Sequence, residues 1–235
     1  KQVSDYEIFN KIHSNKDFFL WKLYFIEIFQ DLPGFDIVIG NPPYIGESGN
    51  KSKFQKVKNA SSLRKFYQGK IDYYYFFFHL ALDILKDNGI LSFITTSYFT
   101  TATAGKNLRK DLKKRGSFLE IIDFNELKIF KSAQGQHNMI STLIKDTENY
   151  SCEIIQTLRK GHSSPEELKN ILYNNDEETT YKLTTSDEIF EGNNNYIRLS
   201  GNFDTNSDLQ NLILDKISIN SKRLDTYFYI KQGVV

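Results

Sequence analysis

The sequence predicts an α/β fold, in which a mostly parallel sheet carries flanking helices and is followed by a C-terminal extension. Short apolar runs of strand length recur between residues 35 and 144, and segments with helical spacing of apolar residues separate the first three. Glycines and prolines mark several of the segment ends. Strands that alternate with helices are typical of parallel sheets, because each helix returns the chain to the end where the next strand begins.

Each predicted element follows from a local pattern. The run 35–39 is predicted as a buried strand, because it is mostly β-branched and ends at Gly40 and two prolines. A helix is predicted from Asp72, a candidate N-cap, to the turn at Asn88, because apolar residues recur there at three- and four-residue spacing. Similar patterns predict a strand, a helix and two further strands at residues 90–94, 105–115, 118–122 and 139–144.

The pattern weakens from about Cys152, where short acidic and asparagine-rich pieces replace the apolar runs. We therefore expect residues 151–235 to form an extension or linker, with one helix near residues 209–217. The chain begins at Lys1 without a methionine or an apolar leader, which we interpret as an internal position in a longer polypeptide.

Composition limits the class of protein. At 235 residues and 40% hydrophobic, the chain is long enough for a sizeable core. No run approaches the ~18 apolar residues of a membrane span, so no membrane partner is expected. Cys152 is the single cysteine, so no internal disulfide can form, and we expect a reducing, cytoplasmic setting. One cysteine and four scattered histidines supply no zinc site, so no metal is expected.

The net charge of +1 is the sum of basic and acidic regions whose charges nearly cancel. Residues 51–70, the basic segment, contain seven basic residues and no acidic one, whereas residues 163–196 are strongly acidic. A solvated helix face is the ordinary interpretation of a basic run. Here the run closely follows the motif described next, which favours contact with nucleic-acid phosphates. The candidate phosphate-contacting residues are Lys51, Lys53, Lys56, Lys58, Arg64 and Lys65.

The motif with specific chemistry consists of Asn41, Pro42, Pro43 and Tyr44, just after the strand 35–39. In open α/β sheets, ligands bind beyond the carboxyl ends of the strands, so the motif lies where a site is expected. The tetrapeptide should occur by chance in on the order of one chain in a thousand of this length. The alternative is that the prolines only stop the strand and that Asn41 and Tyr44 are turn residues.

With its surroundings, the motif resembles the gamma-class adenine-specific DNA methyltransferases of type II restriction-modification enzymes. The resemblance covers residues 18–147, with matching segments at 21–29, 35–44, 72–77, 90–95 and 108–109 and a weaker echo at 224–235. It implies a Rossmann-like, S-adenosylmethionine-dependent methyltransferase fold, with residues 1–150 as the catalytic part of that domain. The family's upstream glycine-bearing cofactor loop and its target-recognition domain have no counterpart in this sequence. Thr96 also stands where the family usually has proline.

The resemblance implies methyl transfer from S-adenosylmethionine to the exocyclic amino group of adenine in double-stranded DNA. This amino nitrogen is a poor nucleophile, because its lone pair is delocalised into the ring. If the Asn41 side-chain oxygen and the Pro42 carbonyl each accept one amino hydrogen, they favour a tetrahedral nitrogen whose lone pair faces the methyl donor. The prolines fix these acceptors before the reaction, so no metal or nucleophilic side chain is needed.

The same resemblance assigns roles to neighbouring residues. Tyr44 and Phe130 would stack on the two faces of the flipped base, at about 1–3 kcal/mol per stacked base. Gly40, Asn41 and Phe77 would line a cofactor pocket that is incomplete in this chain. An ordinary loop residue is the competing interpretation of Phe130, and a core residue that of Phe77.

The missing early strands of the family fold lead to a further expectation. The strand 35–39 should have an uncovered edge, which the remainder of the parent polypeptide or a neighbouring chain would cover. The chain alone should then be inactive, because the ribose and adenine of the cofactor would lack partners.

Two other protein classes could carry this motif. Protein-glutamine methyltransferases and some RNA methyltransferases hold an amide or amino group with the same four residues. A catalytically inert DNA-binding or subunit module could also retain the fold. The acid-free basic segment favours DNA over the first class. Failure of the complete protein to bind S-adenosylmethionine would favour the second.

Overall fold

The computed structural model describes residues 21–59, 61–131 and 137–199, together with residues 216, 219, 221 and 222. The described strands are, in chain order, β1 (Phe35–Gly40), β2 (Leu85–Thr96), β3 (Ser117–Asp123), β4 (Leu127–Lys128), β5 (Asn138–Ile144), β6 (Ser151–Thr157), β7 (Gly161–His162), β8 (Thr179–Thr185), β9 (Phe190–Glu191) and β10 (Tyr196–Ile197). Six of them form one sheet in the order β1-β2-β5-β3-β6-β8, and β4 with β7 and β9 with β10 form two short pairs.

The described helices are α1 (Trp21–Tyr24), α2 (Ile26–Asp31), α3 (Lys51–Asn59), α4 (Ser61–Arg64), α5 (Tyr74–Ile84), α6 (Lys106–Arg115) and α7 (Pro165–Leu172), with 3-10 turns at Ser97–Thr100 and Thr103–Gly105. α5 contributes most to the core, since Tyr74, Phe78 and Leu82 have no exposed surface. The ring centroid of Phe78 lies 5.1 Å from that of Phe93 on β2. None of the described helices has the length and apolar character to cross a membrane.

The expected mostly parallel α/β sheet with flanking helices is confirmed. β1, β2, β3 and β6 run in one direction, and β5 and β8 run against them. β5 lies between β2 and β3, with Asn138 opposite Thr96 and Met139 opposite Asp123. The carboxyl ends of β2 and β3 therefore meet the amino end of β5 at one end of the sheet.

The four predicted strands correspond to β1, β2, β3 and β5, and the two predicted helices correspond to α5 and α6. The predicted end of the first helix at Asn88 is wrong, because α5 ends at Ile84 and β2 begins at Leu85. α5 begins at Tyr74, two residues after the predicted N-cap Asp72, and the residue at its N-cap position, Tyr73, makes no capping hydrogen bond with its side chain. The Asp72 backbone instead forms an antiparallel bridge with Gly46, in the loop after the motif. The chain before α5 is thus extended.

Residues 48–70 form a segment, here called the excursion, that leaves the chain between the motif and α5. The pairing of residues 45–47 with residues 71–73 holds the two ends of this segment together. The Glu47 N–H donates to the Ile71 carbonyl at 3.0 Å, and the Tyr73 N–H donates to the Ile45 carbonyl at 2.8 Å. The excursion contains α3 and α4. The residues that follow the motif are therefore bound to the residues that follow the basic segment.

The sheet continues past residue 150, where we expected an extension or linker to begin. β6 pairs in parallel with β3 and β8 pairs with β6, so residues 151–185 add two strands to the same sheet. Ile171 of α7 packs in a cluster with Ile122 and Ile155 of the sheet, and one compact unit extends to Arg198. Most of the predicted helix 209–217 and all of the echo at 224–235 lie outside the described residues. A target-recognition domain beyond them stays a prediction.

Candidate active site

The Asn-Pro-Pro-Tyr motif follows β1 directly, at the end of the sheet where β2 also ends. β1 stops at Gly40, which pairs with Phe93, and β2 continues for three more residues. Pro42 is buried, whereas Asn41 and Pro43 are exposed. The Asn41 side chain is therefore accessible to a ligand, while the following proline is packed into the protein.

An apolar cleft opens beside the motif. Its wall brings together Gly40, Asn41 and Pro42 with Phe77 of α5, so the residues that the sequence analysis placed at the cofactor are neighbours in space. A Cβ atom at Gly40 would lie 3.3 Å from the Phe93 ring, which favours glycine at this position. Trp21 of α1 also lines the cleft.

Tyr44 is held against the sheet. Its hydroxyl donates to the Ile94 carbonyl of β2 at 2.9 Å, and its ring stands edge-on to Tyr74, with centroids 6.0 Å apart and planes at 78°. Burial raises the pKa of Tyr44 to about 12, and the Asn138 side chain opposes this shift. Within the described residues, the Asn138 amide nitrogen meets no partner in hydrogen-bond geometry, so its effect on Tyr44 is a weak one. At neutral pH, Tyr44 is therefore a neutral donor with a fixed ring.

Thr96 preserves the local backbone despite replacing the usual proline of the resembled family. Its φ is −80° and its ψ is 150°. Proline holds φ at about −65 ± 15°, so threonine here adopts a φ that proline would also allow. The departure at this position therefore leaves the extended course of the chain unchanged.

Glu47 joins the motif loop to the basic segment. Its carboxylate accepts the Tyr67 hydroxyl at 2.6 Å and the Lys70 backbone N–H at 2.7 Å. The Lys58 ammonium lies 2.8 Å from the same carboxylate. Burial raises the pKa of Glu47, but the hydrogen bonds from Lys58, Tyr67 and Lys70 together outweigh it and lower the pKa. Glu47 is therefore an anion at neutral pH.

The basic segment presents most of its cations to solvent. Phe54 and Val57 form the buried side of α3. Five of the six candidate phosphate-contacting residues are exposed, namely Lys51, Lys53, Lys56, Arg64 and Lys65. Lys58 differs, because its charge is balanced by Glu47. Contact with DNA stays a prediction for all six.

Phe130 lies two residues after β4 and is half-buried. Residues 132–136, which follow it closely, lie outside the described part of the chain. Its role as the second stacking residue stays a prediction.

β1 forms the outer strand of the six-stranded sheet in the described part of the chain. Ile37 is 61% exposed and Ile39 is 78% exposed. These exposed isoleucines agree with the expected uncovered strand, whereas the prediction that residues 35–39 are buried is wrong in the described part of the chain. The identity of what covers it stays a prediction.

Three residues beside the motif were not predicted from the sequence: Glu47, Tyr74 as a hydroxyl donor, and Asn138. A signal existed for Glu47, because it is the only acidic residue between Asp36 and Asp72 and precedes seven basic ones. Tyr74 follows the helical apolar spacing, which gives no sign of its hydroxyl contacts. Asn138 has no local signature either, because its neighbours come from other strands.

The sequence profile of the Eco57I restriction-modification methylase family matches residues 2–130, more than half of this 235-residue chain. The chain belongs to the Eco57I restriction-modification methylase family. One relative, the type II methyltransferase M.HincII from Haemophilus influenzae, is 34% identical over 143 residues, which are 60% of this chain and 28% of that protein. Another, the type II restriction enzyme and methyltransferase RM.Eco57I from Escherichia coli, is 28% identical over 54% of this chain and 13% of its own length. This Eco57I-family chain thus spans less than a third of either relative.

A solved structure shows the same fold. The modification subunit of a putative type I restriction enzyme from Vibrio vulnificus superposes with a TM-score of 0.51 at 15% identity, over 76% of this chain and 40% of that one. At this identity, the likeness concerns the fold alone. It agrees with the α/β methyltransferase fold expected for the Eco57I family.

Proposed function

We propose that this chain is the catalytic part of a DNA methyltransferase of a restriction-modification system, which methylates the exocyclic amino group of adenine. The observation that carries the proposal is the arrangement after β1. An exposed Asn41 borders an apolar cleft, and Tyr44 beside it is held by the sheet. Family membership, and relatives named as type II methyltransferases, support the DNA-modifying part. The choice of adenine rests on the chemistry of the motif.

The cleft fits the methyl-donor end of S-adenosylmethionine. Pro42 and Phe77 offer apolar surface to the carbon chain around the sulfur, and Gly40 allows close approach to the backbone. When bound, S-adenosylmethionine supplies a methyl group made electrophilic by its sulfonium. The exposed Asn41 side chain borders the same cleft, which suits a residue that positions the methyl acceptor.

The residues of the chain prepare the nucleophile. The Asn41 side-chain oxygen and the Pro42 carbonyl accept the two amino hydrogens of adenine, which directs the nitrogen lone pair toward the methyl carbon. S-adenosylmethionine held beside Pro42 and Phe77 would supply the methyl group to this nitrogen. The two acceptors stabilise the positive charge on nitrogen until one proton leaves to water. Because the prolines hold the acceptors in place, little reorganisation is needed.

A single-turnover assay on the full-length protein tests this proposal. Tritiated S-adenosylmethionine and plasmid DNA are the substrates, and the DNA is digested to nucleosides. We expect label in N6-methyldeoxyadenosine. Asn41→Ala should lower the rate on the order of 100- to 1,000-fold, as loss of one preorganised polar group does elsewhere, with little change in DNA or cofactor affinity. An unchanged rate would refute the acceptor role.

Asn149→Ala is the matched control, because Asn149 is an exposed asparagine beyond the opposite end of β5. Its rate should equal that of the wild type. The remaining outcomes separate the alternatives. In parallel reactions with RNA or protein in place of DNA, label in RNA or in protein glutamine would assign another substrate class. Label in cytosine of the plasmid would refute adenine as the target. Absence of calorimetric S-adenosylmethionine binding would indicate an inert DNA-binding or subunit module.

A further inference from the structure

Tyr74 and Thr96 form a reciprocal hydroxyl pair beneath the motif. The Tyr74 hydroxyl donates to the Thr96 carbonyl at 3.2 Å, and the Thr96 hydroxyl donates to the Tyr74 oxygen at 3.0 Å. Tyr74 has no exposed surface and Thr96 is 2% exposed. Two buried polar groups thus satisfy each other through two hydrogen bonds, which fixes the position of both side chains.

This pair supports Tyr44 directly. The edge contact between the Tyr44 and Tyr74 rings limits rotation of the Tyr44 ring. The Tyr44 hydroxyl binds the Ile94 carbonyl, two residues before the Thr96 carbonyl that receives the Tyr74 hydroxyl. β1 ends opposite Phe93, so β2 offers these carbonyls beyond the last residue of its neighbour. Two tyrosine hydroxyls from separate elements therefore bind the same end of β2.

We propose that Tyr74 and Thr96 are positioning residues, which hold the Tyr44 ring in the orientation that receives the target base. The proposal rests on the proposed function, in which Tyr44 stacks on the flipped adenine. A stacking surface that is already fixed loses little side-chain entropy when the base arrives. Loss of the pair should therefore weaken capture of the base and leave the cofactor cleft unaltered, because the pair does not line that cleft.

The variants separate positioning from general stability. Thr96→Val removes the hydroxyl at nearly constant volume, Thr96→Ser retains it, and Tyr74→Phe removes both hydrogen bonds. Tyr150→Phe and Thr184→Val are matched controls, because their hydroxyls donate to Asp146 at 2.9 Å and to Glu188 at 2.7 Å. Both control residues lie toward the opposite end of the sheet.

The first measurement needs no DNA. A 3-fluorotyrosine at position 44 of the full-length protein reports ring motion by fluorine NMR. A held ring gives two separate signals for its two flip states, and a freed ring gives one averaged signal. We expect two signals in the wild type, Thr96→Ser and both controls, and averaging in Thr96→Val and Tyr74→Phe. Two signals in every variant would overturn the proposal.

The second measurement uses a duplex with 2-aminopurine in place of the target adenine, whose position is mapped by sequencing plasmid DNA that the full-length protein has methylated. Thr96→Val should lower the flipped-base emission about fivefold, the effect of one net hydrogen bond, and Tyr74→Phe should lower it at least as much. Thr96→Ser should restore it. The double variant should match Tyr74→Phe, because both changes act on one pair. Unchanged emission would overturn the proposal.

The two measurements also distinguish this proposal from the proposed function. If the wild-type protein neither methylates nor flips adenine, the proposed function fails, and so does the role of Tyr44 in base capture. The fluorine spectra would still decide whether the pair holds the ring. If the wild type is active and the spectra do not respond to the substitutions, only the positioning role fails.

Discussion

Replacing Glu47 by glutamine should loosen the excursion, residues 48–70, and leave the sheet folded. The carboxylate accepts from two donors, the Tyr67 hydroxyl and the Lys70 N–H, and also pairs with Lys58. A glutamine side chain has one acceptor oxygen, and its amide nitrogen would face the second donor. Both donors would therefore lose a charged acceptor, and only one of them would keep an acceptor oxygen.

The magnitude follows from these contacts. A lost hydrogen bond to a charged group costs about 1.5–3 kcal/mol, and the pair with Lys58, whose side chain is 31% exposed, adds about 0.2–1 kcal/mol. The local loss is then about 2–4 kcal/mol, which corresponds to on the order of 30- to 1,000-fold in an opening equilibrium. Lys70 itself has a φ of +51°, a conformation that costs about 1–2 kcal/mol and that the bond from its N–H to Glu47 helps to maintain.

Native-state hydrogen exchange of the Lys70 amide measures this loss directly. In Glu47→Gln, we expect hydrogen exchange at the Lys70 amide to accelerate on the order of 30- to 1,000-fold. The amides of β2 and β3 should keep their protection. Glu126→Gln is the matched control, because Glu126 pairs with Lys160 at 2.9 Å with side chains that are 57% and 72% exposed. Exchange at Lys70 that changes no more in Glu47→Gln than in the control would refute the reasoning.

The effect should depend on pH in a defined direction. The folded-state pKa of Glu47 is lowered from its ordinary value of 4.5, although burial, the largest single effect, raises it. A carboxyl group with a lowered folded pKa contributes stability above its unfolded pKa, and this contribution is lost as pH falls through the folded pKa. The difference in unfolding free energy between wild type and Glu47→Gln should therefore be full at pH 7 and shrink below about pH 4.5.

Three further predictions concern DNA, cofactor and fold. Replacing the exposed cations of the basic segment by glutamine should lower the salt dependence of DNA binding, because fewer counterions are released. Lys58→Gln alone should change this dependence little. An unchanged slope of log binding constant against log salt concentration would indicate that the segment is an ordinary solvated helix face. Equilibrium dialysis of the isolated chain should show no micromolar binding of labelled S-adenosylmethionine, and binding would show that the pocket is complete. Gly105→Ala should destabilise the fold by about 1–3 kcal/mol in urea denaturation, since a Cβ there would lie 2.5 Å from the Phe99 carbonyl and 2.6 Å from Arg109 Nη1; an unaltered midpoint would contradict this.

The strands that the sequence predicted are those with a short apolar run between polar, glycine or proline residues. β1, β2, β3 and β5 overlap the predicted runs, because such runs have few alternatives to a strand. β1 is nevertheless largely exposed, and β2 begins at Leu85, before its predicted run. β6 and β8 were missed as parts of the sheet, because Glu153 and Gln156 interrupt the first and threonines dominate the second. Half-buried strands of this kind resemble loops in a single sequence.

The direction of β5 shows a second limit. The sequence predicted a strand at residues 139–144, but nothing local distinguishes a parallel strand from an antiparallel one. The order in the sheet places β5 between β2 and β3, against the direction of both. This arrangement brings Asn138 close to Tyr44.

The sequence by itself determined the motif and its place after a strand, and it predicted the chemistry of the acceptors, because these depend on adjacent residues and on backbone restriction by proline. Only the tertiary structure decided which groups hold the motif. Tyr44 binds Ile94, 50 residues away, and Glu47 binds Tyr67, 20 residues away. Such contacts exist because β1 and β2 pair in parallel and because residues 45–47 meet residues 71–73. These pairings result from cooperative packing of the whole sheet, which no local pattern encodes.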